Sequence, residues 1–357
     1  MGARLRVVLD QLVHVVDADQ AAASRDLAAG LVQTAPPNCT VEAIVPAGAE
    51  VAIRGIGDVR TLAVGRRELA ASWQLGIAPG VGGGLIHAPT LLAPLVRHDR
   101  VHDNDQTTVT LWDLRAWEAP SQLSRGAVAW QRGMLRRAVK HADAVVVPSH
   151  SMAEKLSGLA KLGDRVRVIA GAPPQDLVVP VAASARRDEL DLPAEYLVLS
   201  GPEHALSAGF RGAVAAGLDA VVIGAAEGSE PRIAEIAAAA GLPERRAHIR
   251  GALDAADRAA VLSGARVFVA TDAVSGWPWR AVEAMALGIP VVAMESGCHH
   301  DVIADGGAIV GEDALPDAVA DAAGDGAARL RVLAADRSRA FSWASAAERV
   351  WSLHAEL

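Results

Sequence analysis

The stretch from residue 270 to residue 310 contains the residues whose types and spacing are best suited to chemistry. An apolar run up to its start predicts a buried strand, which enters a loop rich in Gly, Pro and Trp at residues 275–279. The loop opens into a predicted helix over 280–287, and a further apolar strand follows at 291–293. Open α/β sheets bind ligands beside the helix N-terminus of such a unit.

Glu283 lies one turn into this predicted helix. A carboxylate at that position suits a ribose diol, from which it can accept two hydrogen bonds, better than a phosphate, which it would repel. A glutamate near a helix start is also favourable as an ordinary surface residue. Both interpretations stay open on spacing alone.

The composition limits what else the protein can be. At 357 residues, of which 51% are hydrophobic, the chain is long enough for two domains. The formal net charge of −8 leaves no general basic surface for nucleic acid. No segment approaches the ~18 consecutive apolar residues that a membrane span needs. The first apolar run of the chain is a poor secretory signal, because Asp10 interrupts it. We therefore expect a cytoplasmic protein without a membrane span.

The cysteines and the adjacent histidines do not predict a metal site. Cys39 and Cys298 are far apart and lack metal-ligand spacing, so structural thiols are expected. His299, His300 and Asp301 follow one another directly at a predicted helix start, where adjacent residues do not share a face. We therefore expect neither a metal nor any other cofactor.

The rest of the chain alternates predicted strands and helices, which favours two Rossmann-like domains. A Gly-Ala-Pro-Pro run at residues 171–174 indicates a linker. We place one domain at 1–172 and a second at 173–339, followed by a C-terminal helix within 340–357. Trp343 and Trp351 are expected to anchor that helix through burial.

A predicted amphipathic helix over 122–141 carries a cluster of basic residues on its polar side. Two interpretations remain for this cluster. It could contact an anionic membrane surface weakly, which would place the protein at the inner face of the plasma membrane, or it could be a solvated helix face.

The stretch at 270–310 resembles the signature of the retaining family 4 glycosyltransferases, which have the GT-B fold. The positions identical to the usual form of that signature are Gly276, Glu283, Ala284, Met285, Ala286, Gly288, Pro290, Val291, Val292 and Ala293. Other motifs resemble the family in the same order along nearly the whole chain. The resemblance implies an α/β protein with two Rossmann-like domains facing a central cleft, the first on the acceptor side and the second binding a nucleotide sugar. The C-terminal helix would cross back to the N-terminal domain.

The resemblance also implies which residues bind the sugar nucleotide. Glu283 takes the ribose role by position, and the amides of Gly276 and Trp277 would contact the sugar or the phosphate. Ser275 stands where the family has a first glutamate, which touches the sugar.

The phosphates have a different set of candidate partners. Glu203 and His204 stand where the family has cations facing the diphosphate. Arg211 or Arg280 would take over that contact, and His300 could touch a phosphate as well.

Four residues of the first domain are candidates for the cleft. His87 matches the family's histidine at the carboxyl end of a strand, although a lone histidine is as often a core residue. Trp112 stands where the family has a histidine close to the reacting sugar, followed by the matching Asp113. Trp112 could stack on a sugar face or fill space. Ser149 is placed to cap the helix predicted at 150–156, in a region that borders the cleft in the family.

The resulting prediction is a hexosyltransferase-type enzyme that moves a sugar from a nucleotide sugar to an acceptor hydroxyl with retention of anomeric configuration. The acceptor could be a glycan, a lipid or a small molecule. The alternative is a catalytically silent homologue that acts as a binding or scaffold partner. Four departures from the family motifs favour this alternative: Ser275, Trp112, the Glu203-His204 pair, and a first loop with Asp17 and Asp19 where glycines are usual.

Overall fold

The computed structural model describes residues 2–99 and 102–357, and it contains two parallel sheets flanked by helices. This confirms the predicted α/β class. The chain forms two compact units. The first comprises the chain up to Ala172, Val274–Trp277 and Phe341–Leu357, and the second comprises Pro173–Ala273 and Pro278–Ala340. None of the helices in the described part of the chain is long and apolar enough to cross a bilayer.

The strands of both sheets pair in parallel throughout. They are β1 (Arg4–Val8), β2 (Thr40–Val45), β3 (Val59–Thr61), β4 (Leu85–Ala88), β5 (Gln106–Thr110), β6 (Ala144–Val147), β7 (Val166–Val168), β8 (Tyr196–Ser200), β9 (Asp219–Val222), β10 (Ala247–Ile249), β11 (Phe268–Ala270), β12 (Val291–Met294) and β13 (Ala308–Val310). The first unit has the seven-stranded sheet β3-β2-β1-β4-β5-β6-β7, and the second has the six-stranded sheet β10-β9-β8-β11-β12-β13.

The α-helices connect these strands and flank the sheets. They are α1 (Ala18–Gln33), α2 (Arg66–Gln74), α3 (Arg115–Glu118), α4 (Arg125–His141), α5 (His150–Leu159), α6 (Ala183–Glu189), α7 (Leu206–Ala216), α8 (Glu230–Ala239), α9 (Ala255–Gly264), α10 (Trp279–Ala286), α11 (Gly297–Val302), α12 (Leu315–Ala323), α13 (Ala327–Ser338) and α14 (Trp343–Glu356).

The strand order places a topological switch point in each sheet. In the first sheet the chain runs outward from β1 to β3 on one side and from β4 to β7 on the other, so the order reverses between β1 and β4. In the second sheet the order reverses between β8 and β11. Ligands of open α/β sheets bind in the crevice outside the carboxyl ends of the strands at such points.

Side-chain caps determine where three helices begin. The helical spacing of apolar residues over 21–32 predicts a helix that begins at Ala21. Asp17 accepts a hydrogen bond from the amide of Gln20 at 3.0 Å, so α1 begins three residues earlier, at Ala18. Ser124 caps α4 in the same way. The predicted cap at Ser149 is confirmed, because its hydroxyl accepts from the amide of Met152 at 3.3 Å.

The C-terminal helix α14 packs against α1 within the first unit. Trp343 and Trp351 are buried, as predicted, and the indole nitrogen of Trp351 donates to the carbonyl oxygen of Leu31 at 3.1 Å. A Cβ on Gly30 would lie only 2.7 Å from the carbonyl oxygen of Trp343, so a larger residue there would push the two helices apart.

The core of the second unit lies on the face of its sheet that α7, α8 and α12 cover. Leu197 of β8 and Phe210 of α7 are fully buried in it. Helix α7 also packs closely on α12, because a Cβ on Gly212 would lie 2.9 Å from a methyl group of Val319. This packing holds α7 and α12 together on one face of the second sheet.

Candidate functional site

A cavity of about 690 Å³ opens at the switch point of the first sheet. It is lined from the chain segments that follow β1, β4 and β5 and from α1, α2 and α4. Its charged and aromatic lining includes Asp17, Arg66, Asp113, Arg115 and Trp130. The volume lies in the range of roughly 300–1,000 Å³ that is usual for small-molecule sites.

Asp10 connects, through hydrogen bonds beside this cavity, the segments that follow β1 and β4 with helix α2. It follows β1 and is 1% exposed, and its carboxylate accepts hydrogen bonds from Arg66 Nε at 2.8 Å and from the Thr90 hydroxyl at 2.8 Å. Burial raises the pKa of Asp10, while Arg66 and Thr90 act in the opposite direction. Sequence reasoning missed this residue, although a lone acid directly after a buried strand is a signal for the carboxyl edge of a sheet.

The acidic first loop has a structural explanation. The side-chain oxygen of Gln11 accepts hydrogen bonds from the amides of Val16 and Asp17, both at 2.9 Å, which folds the loop back on itself. Asp17 then serves as the N-cap of α1. An aspartate therefore stands where the family has a glycine because this loop ends in a capped helix.

Trp112 and Asp113 follow β5 at the cavity wall. The Trp112 ring is 4% exposed, donates from its indole nitrogen to the carbonyl oxygen of Pro89 at 2.7 Å, and packs edge-to-face on Trp343. Of the two interpretations of Trp112, space filling fits this geometry, because a buried ring offers no open face for a sugar. The Asp113 carboxylate accepts from the amide of Arg115 at 2.8 Å.

The predicted donor residues Ser275, Gly276 and Trp277 lie in the segment that belongs to the first unit. Gly276 forms an antiparallel bridge with Asp113, and a Cβ on Gly276 would lie 2.8 Å from the Cβ of Asp113. The amide of Trp277 donates to the carbonyl oxygen of Trp112 at 3.0 Å. This corrects the expected contact from the Trp277 amide to a sugar or phosphate, because that donor is already used.

Ser275 is bound to two side chains that sequence reasoning did not single out. Its hydroxyl donates to Glu118 at 2.9 Å and accepts from Lys155 at 2.7 Å, and its amide donates to Glu118 at 2.7 Å. Burial acts to raise the pKa of Glu118, but the hydrogen bonds from Lys155 and Ser275 outweigh it, so the pKa lies below its usual value. Contact of Ser275 with a donor sugar stays a prediction.

His87 is a core residue, which corrects its assignment to a cleft. It is 0% exposed, and its Nδ1 lies 2.8 Å from the hydroxyl of Thr108. Its ring lies 6.0 Å from that of His354 on α14, which covers this face of the sheet. Strand alternation places the side chain under a helix rather than at the strand end. Ser149, also predicted near a cleft, is buried as the cap of α5.

At the switch point of the second sheet, the ends of β8 and β11 lie close together. The amide of Thr271, after β11, donates to the carbonyl oxygen of Ser200, the last residue of β8, at 2.9 Å. A Cβ on Gly201 would lie 2.1 Å from the Thr271 hydroxyl, so the glycine lets the two strand ends approach.

Glu283 lies in α10 between two arginines. The carboxylate accepts from Nε of Arg258 at 2.9 and 3.1 Å and from Nη1 of Arg280 at 2.7 and 2.8 Å. Its side chain is 0% exposed. The interpretation of Glu283 as a surface residue is therefore wrong. A ribose could meet this carboxylate only if one arginine moved, so direct ribose contact stays a prediction.

The two remaining phosphate candidates already have acidic partners. Arg211 on α7 donates to Glu312 at 2.8 Å, and its side chain is partly exposed. His300 on α11 lies 3.5 Å from Glu295, and its side chain is 55% exposed. Either residue could exchange its partner for a phosphate, and these contacts stay predictions.

Part of the chain matches the model of a known family. Residues 208–326, one third of the chain, match the family model described as glycosyl transferases group 1. This range includes β11, α10 and the three residues of the Arg258, Glu283 and Arg280 cluster. Among curated proteins, none matches the sequence of the chain.

Solved structures resemble the chain over nearly its full length. Sucrose-phosphate synthase from Thermosynechococcus elongatus is 22% identical, with 99% of this chain and 98% of that chain covered and a TM-score of 0.69. HepE of Anabaena in complex with UDP-glucose is 17% identical, with 99% and 100% covered and a TM-score of 0.65. A glycosyltransferase from Rickettsia africae is 14% identical, with 99% and 98% covered and a TM-score of 0.64. The chain therefore has the GT-B fold.

Proposed function

We propose that the protein is a glycosyltransferase that moves a sugar from a nucleotide-diphosphate sugar to a hydroxyl group of an acceptor. The observation that carries this proposal is the match of residues 208–326 to glycosyl transferases group 1. The GT-B fold of the whole chain supports it. The resemblance to the retaining family implies that the anomeric configuration is kept.

The donor would bind in the second unit, at the carboxyl edge of its sheet near the switch point between β8 and β11. Gly201 and Thr271 lie at this position, directly after β8 and β11. HepE, which shares the fold, has been solved with UDP and with UDP-glucose, so UDP-sugars are the first donors to test.

The chemistry proposed for this site is electrostatic stabilisation of the leaving diphosphate. Preorganised arginines and helix N-termini can stabilise negative charge that develops on the leaving group, without a metal ion. Arg280, in the first turn of α10, combines both features. We propose that the reaction needs no cofactor other than the donor.

The acceptor would bind in the cavity of the first unit. Its volume of about 690 Å³ is suited to a small molecule or to one end of a larger one. The lining offers carboxylates and guanidinium groups, including Asp113 and Arg115, that can hold hydroxyl groups.

Calorimetric titration with nucleotides tests the proposal. We expect the wild type to bind at least one of UDP, GDP, ADP and CDP with a Kd in the micromolar range, about −8 kcal/mol. The corresponding nucleotide sugar should compete for the same site. The matched negative control is a mixture of the free nucleoside and pyrophosphate, in which no covalent bond joins the nucleoside to the diphosphate. If none of these nucleotides or their sugars binds, the enzymatic proposal is refuted and a silent binding partner becomes the better account.

A further inference from the structure

Arg66 lies between a buried carboxylate and the cavity of the first unit. Its side chain lines the cavity, whereas Asp10, the carboxylate to which its Nε donates at 2.8 Å, is 1% exposed and lies behind the lining. Only 14% of the Arg66 side chain is exposed. The guanidinium group is therefore held from the protein side and accessible from the cavity side.

The ion pair with Asp10 uses only one donor of Arg66. An arginine that pairs closely with a carboxylate often donates two parallel hydrogen bonds to its two oxygens. Here the second oxygen of Asp10 accepts from the hydroxyl of Thr90 at 2.8 Å instead. Within residues 2–99 and 102–357, Nη1 and Nη2 of Arg66 donate to no acceptor, and neither atom is enclosed by protein. The edge formed by these two nitrogens is thus available to a ligand.

A chain of buried hydrogen bonds fixes the position of this edge. Thr90 is 3% exposed, and its hydroxyl accepts from the amide of Leu92 at 3.2 Å while it donates to Asp10. Asp10 in turn holds Nε of Arg66. A guanidinium group that is already oriented loses little conformational freedom when a ligand binds.

The other charged groups of the cavity limit the charge of that ligand. Among the described residues, the lining also contains three carboxylates and two further guanidinium groups, those of Asp17, Glu68, Asp113, Arg67 and Arg115. None of these carboxylates forms an ion pair with Arg66. Carboxylates accept hydrogen bonds from hydroxyl groups and repel anions. The lining therefore suits a ligand that has several hydroxyl groups and one anionic group.

We propose that Arg66 binds an anionic group of the acceptor, a phosphate monoester or a carboxylate, and that Asp10 is the positioning residue that presents the Nη1 and Nη2 edge. Two oxygens of such a group can accept parallel hydrogen bonds from this edge, which the single oxygen of a hydroxyl group cannot do. The inference rests on the proposed function and names the class of acceptor: a compound with several hydroxyl groups and a single anionic group.

The test compares anionic compounds with their neutral counterparts. Glucose 6-phosphate and glucuronate are each compared with glucose, and glycerol 3-phosphate is compared with glycerol, by ligand-observed NMR titration of the wild type. The measured preference is the Kd of the neutral compound divided by the Kd of the anionic one. We expect a preference of about 10-fold or more in at least one pair, the effect of a charge-assisted hydrogen bond. The phosphates and the glucuronate show which anionic group the site takes.

The variants Arg66→Met and Asp10→Asn test the two roles. Arg66→Met should bring the preference to within about 2-fold of one and leave the Kd of the neutral compound unchanged. Asp10→Asn keeps the guanidinium group but removes the charge that orients it, so its preference should fall part of the way. A merely structural role of Asp10 would weaken the binding of both compounds alike. Should Arg66→Met fail to fold, the double variant Asp10→Asn/Arg66→Met removes both charges, and its preference should be lost as well.

Arg6→Met is the matched control. The Arg6 side chain is 13% exposed, lies in the first unit and pairs with Glu42 at 3.9 Å, but it does not line the cavity. We expect its preference to equal that of the wild type. Arg67→Met removes an exposed cation from the same lining, and its preference should stay within about 2-fold of the wild type, because an exposed charge contributes little.

Three results would overturn the inference. The first is a wild type that prefers none of the anionic compounds, and the second is a preference that persists in Arg66→Met or in the double variant. The third is an equal loss in Arg67→Met and Arg66→Met, which would show a general effect of positive charge instead of a site at Arg66. A wild type that binds a nucleotide but prefers no anionic compound refutes only the inference. A wild type that shows the preference at Arg66 but binds no nucleotide refutes the proposed function and the role of this site in glycosyl transfer.

Discussion

Glu283→Gln is expected to lower the free energy of unfolding of the second unit by about 3–5 kcal/mol, the usual cost of removing one partner from a buried ion pair. The reason is the geometry of the cluster. Two arginines donate to one fully buried carboxylate, and glutamine would remove the negative charge that both guanidinium groups contact. Urea denaturation followed by far-ultraviolet circular dichroism measures the change.

Glu312→Gln is the control for this prediction. Glu312 also pairs with an arginine, Arg211 at 2.8 Å, but both side chains of this pair are exposed. Exposed ion pairs contribute about 0–1 kcal/mol, so this variant should unfold close to the wild type. If both variants lose the same small amount of free energy of unfolding, the carboxylate of Glu283 is not buried between the two arginines.

Acidification is expected to destabilise the first unit through two buried histidines. Burial, with a smaller effect of His354, lowers the pKa of His87 from 6.5 to about 3, and burial lowers the pKa of His354 from 6.5 to about 4. Below pH 6.5 the unfolded chain binds protons that the folded chain does not. The contribution of the two histidines to stability is therefore complete above pH 6.5 and is lost as the pH falls through about 4 for His354 and about 3 for His87. Between pH 7 and pH 5 the two histidines together should remove about 3–4 kcal/mol.

Urea denaturation of the wild type and of the double variant His87→Gln/His354→Gln at pH 7, 6 and 5 isolates this effect. The wild type should lose about 3–4 kcal/mol more than the double variant over this range. Other groups, including the buried Asp10 with its raised pKa, act equally in both proteins and cancel in the comparison. His300→Gln, which changes a half-exposed histidine, should keep the pH dependence of the wild type. Equal losses in the wild type and the double variant would show that the buried histidines titrate normally.

The sequence predicts the fold well because its signals are local. Apolar runs mark the strands, and Ser149 could be identified as a helix cap from its position before a helical pattern. Trp343 and Trp351 could be assigned to a buried helix face from their spacing. The boundary of α1 was less well predicted, because the capping role of Asp17 depends on how Gln11 folds the preceding loop.

The candidate site could be predicted only in part, because its contacts join residues that are distant in sequence. Glu283 could be identified from its motif, but its partner Arg258 lies 25 positions earlier, on another helix. The partners of Ser275 lie 157 and 120 positions away, at Glu118 and Lys155. His87 shows the opposite case, because its motif position suggested a ligand site, whereas α14 covers it. Motifs identify chemical groups, and the packing of the fold determines which of them a ligand can reach.

The most direct test of the account is a crystal structure of the protein with the nucleoside diphosphate that it binds in solution. The account predicts density for the diphosphate at the carboxyl edge of the second sheet, with a phosphate oxygen within about 3 Å of the guanidinium group of Arg280. Density for the nucleotide in the cavity of the first unit, or at a position remote from Arg280, would contradict it.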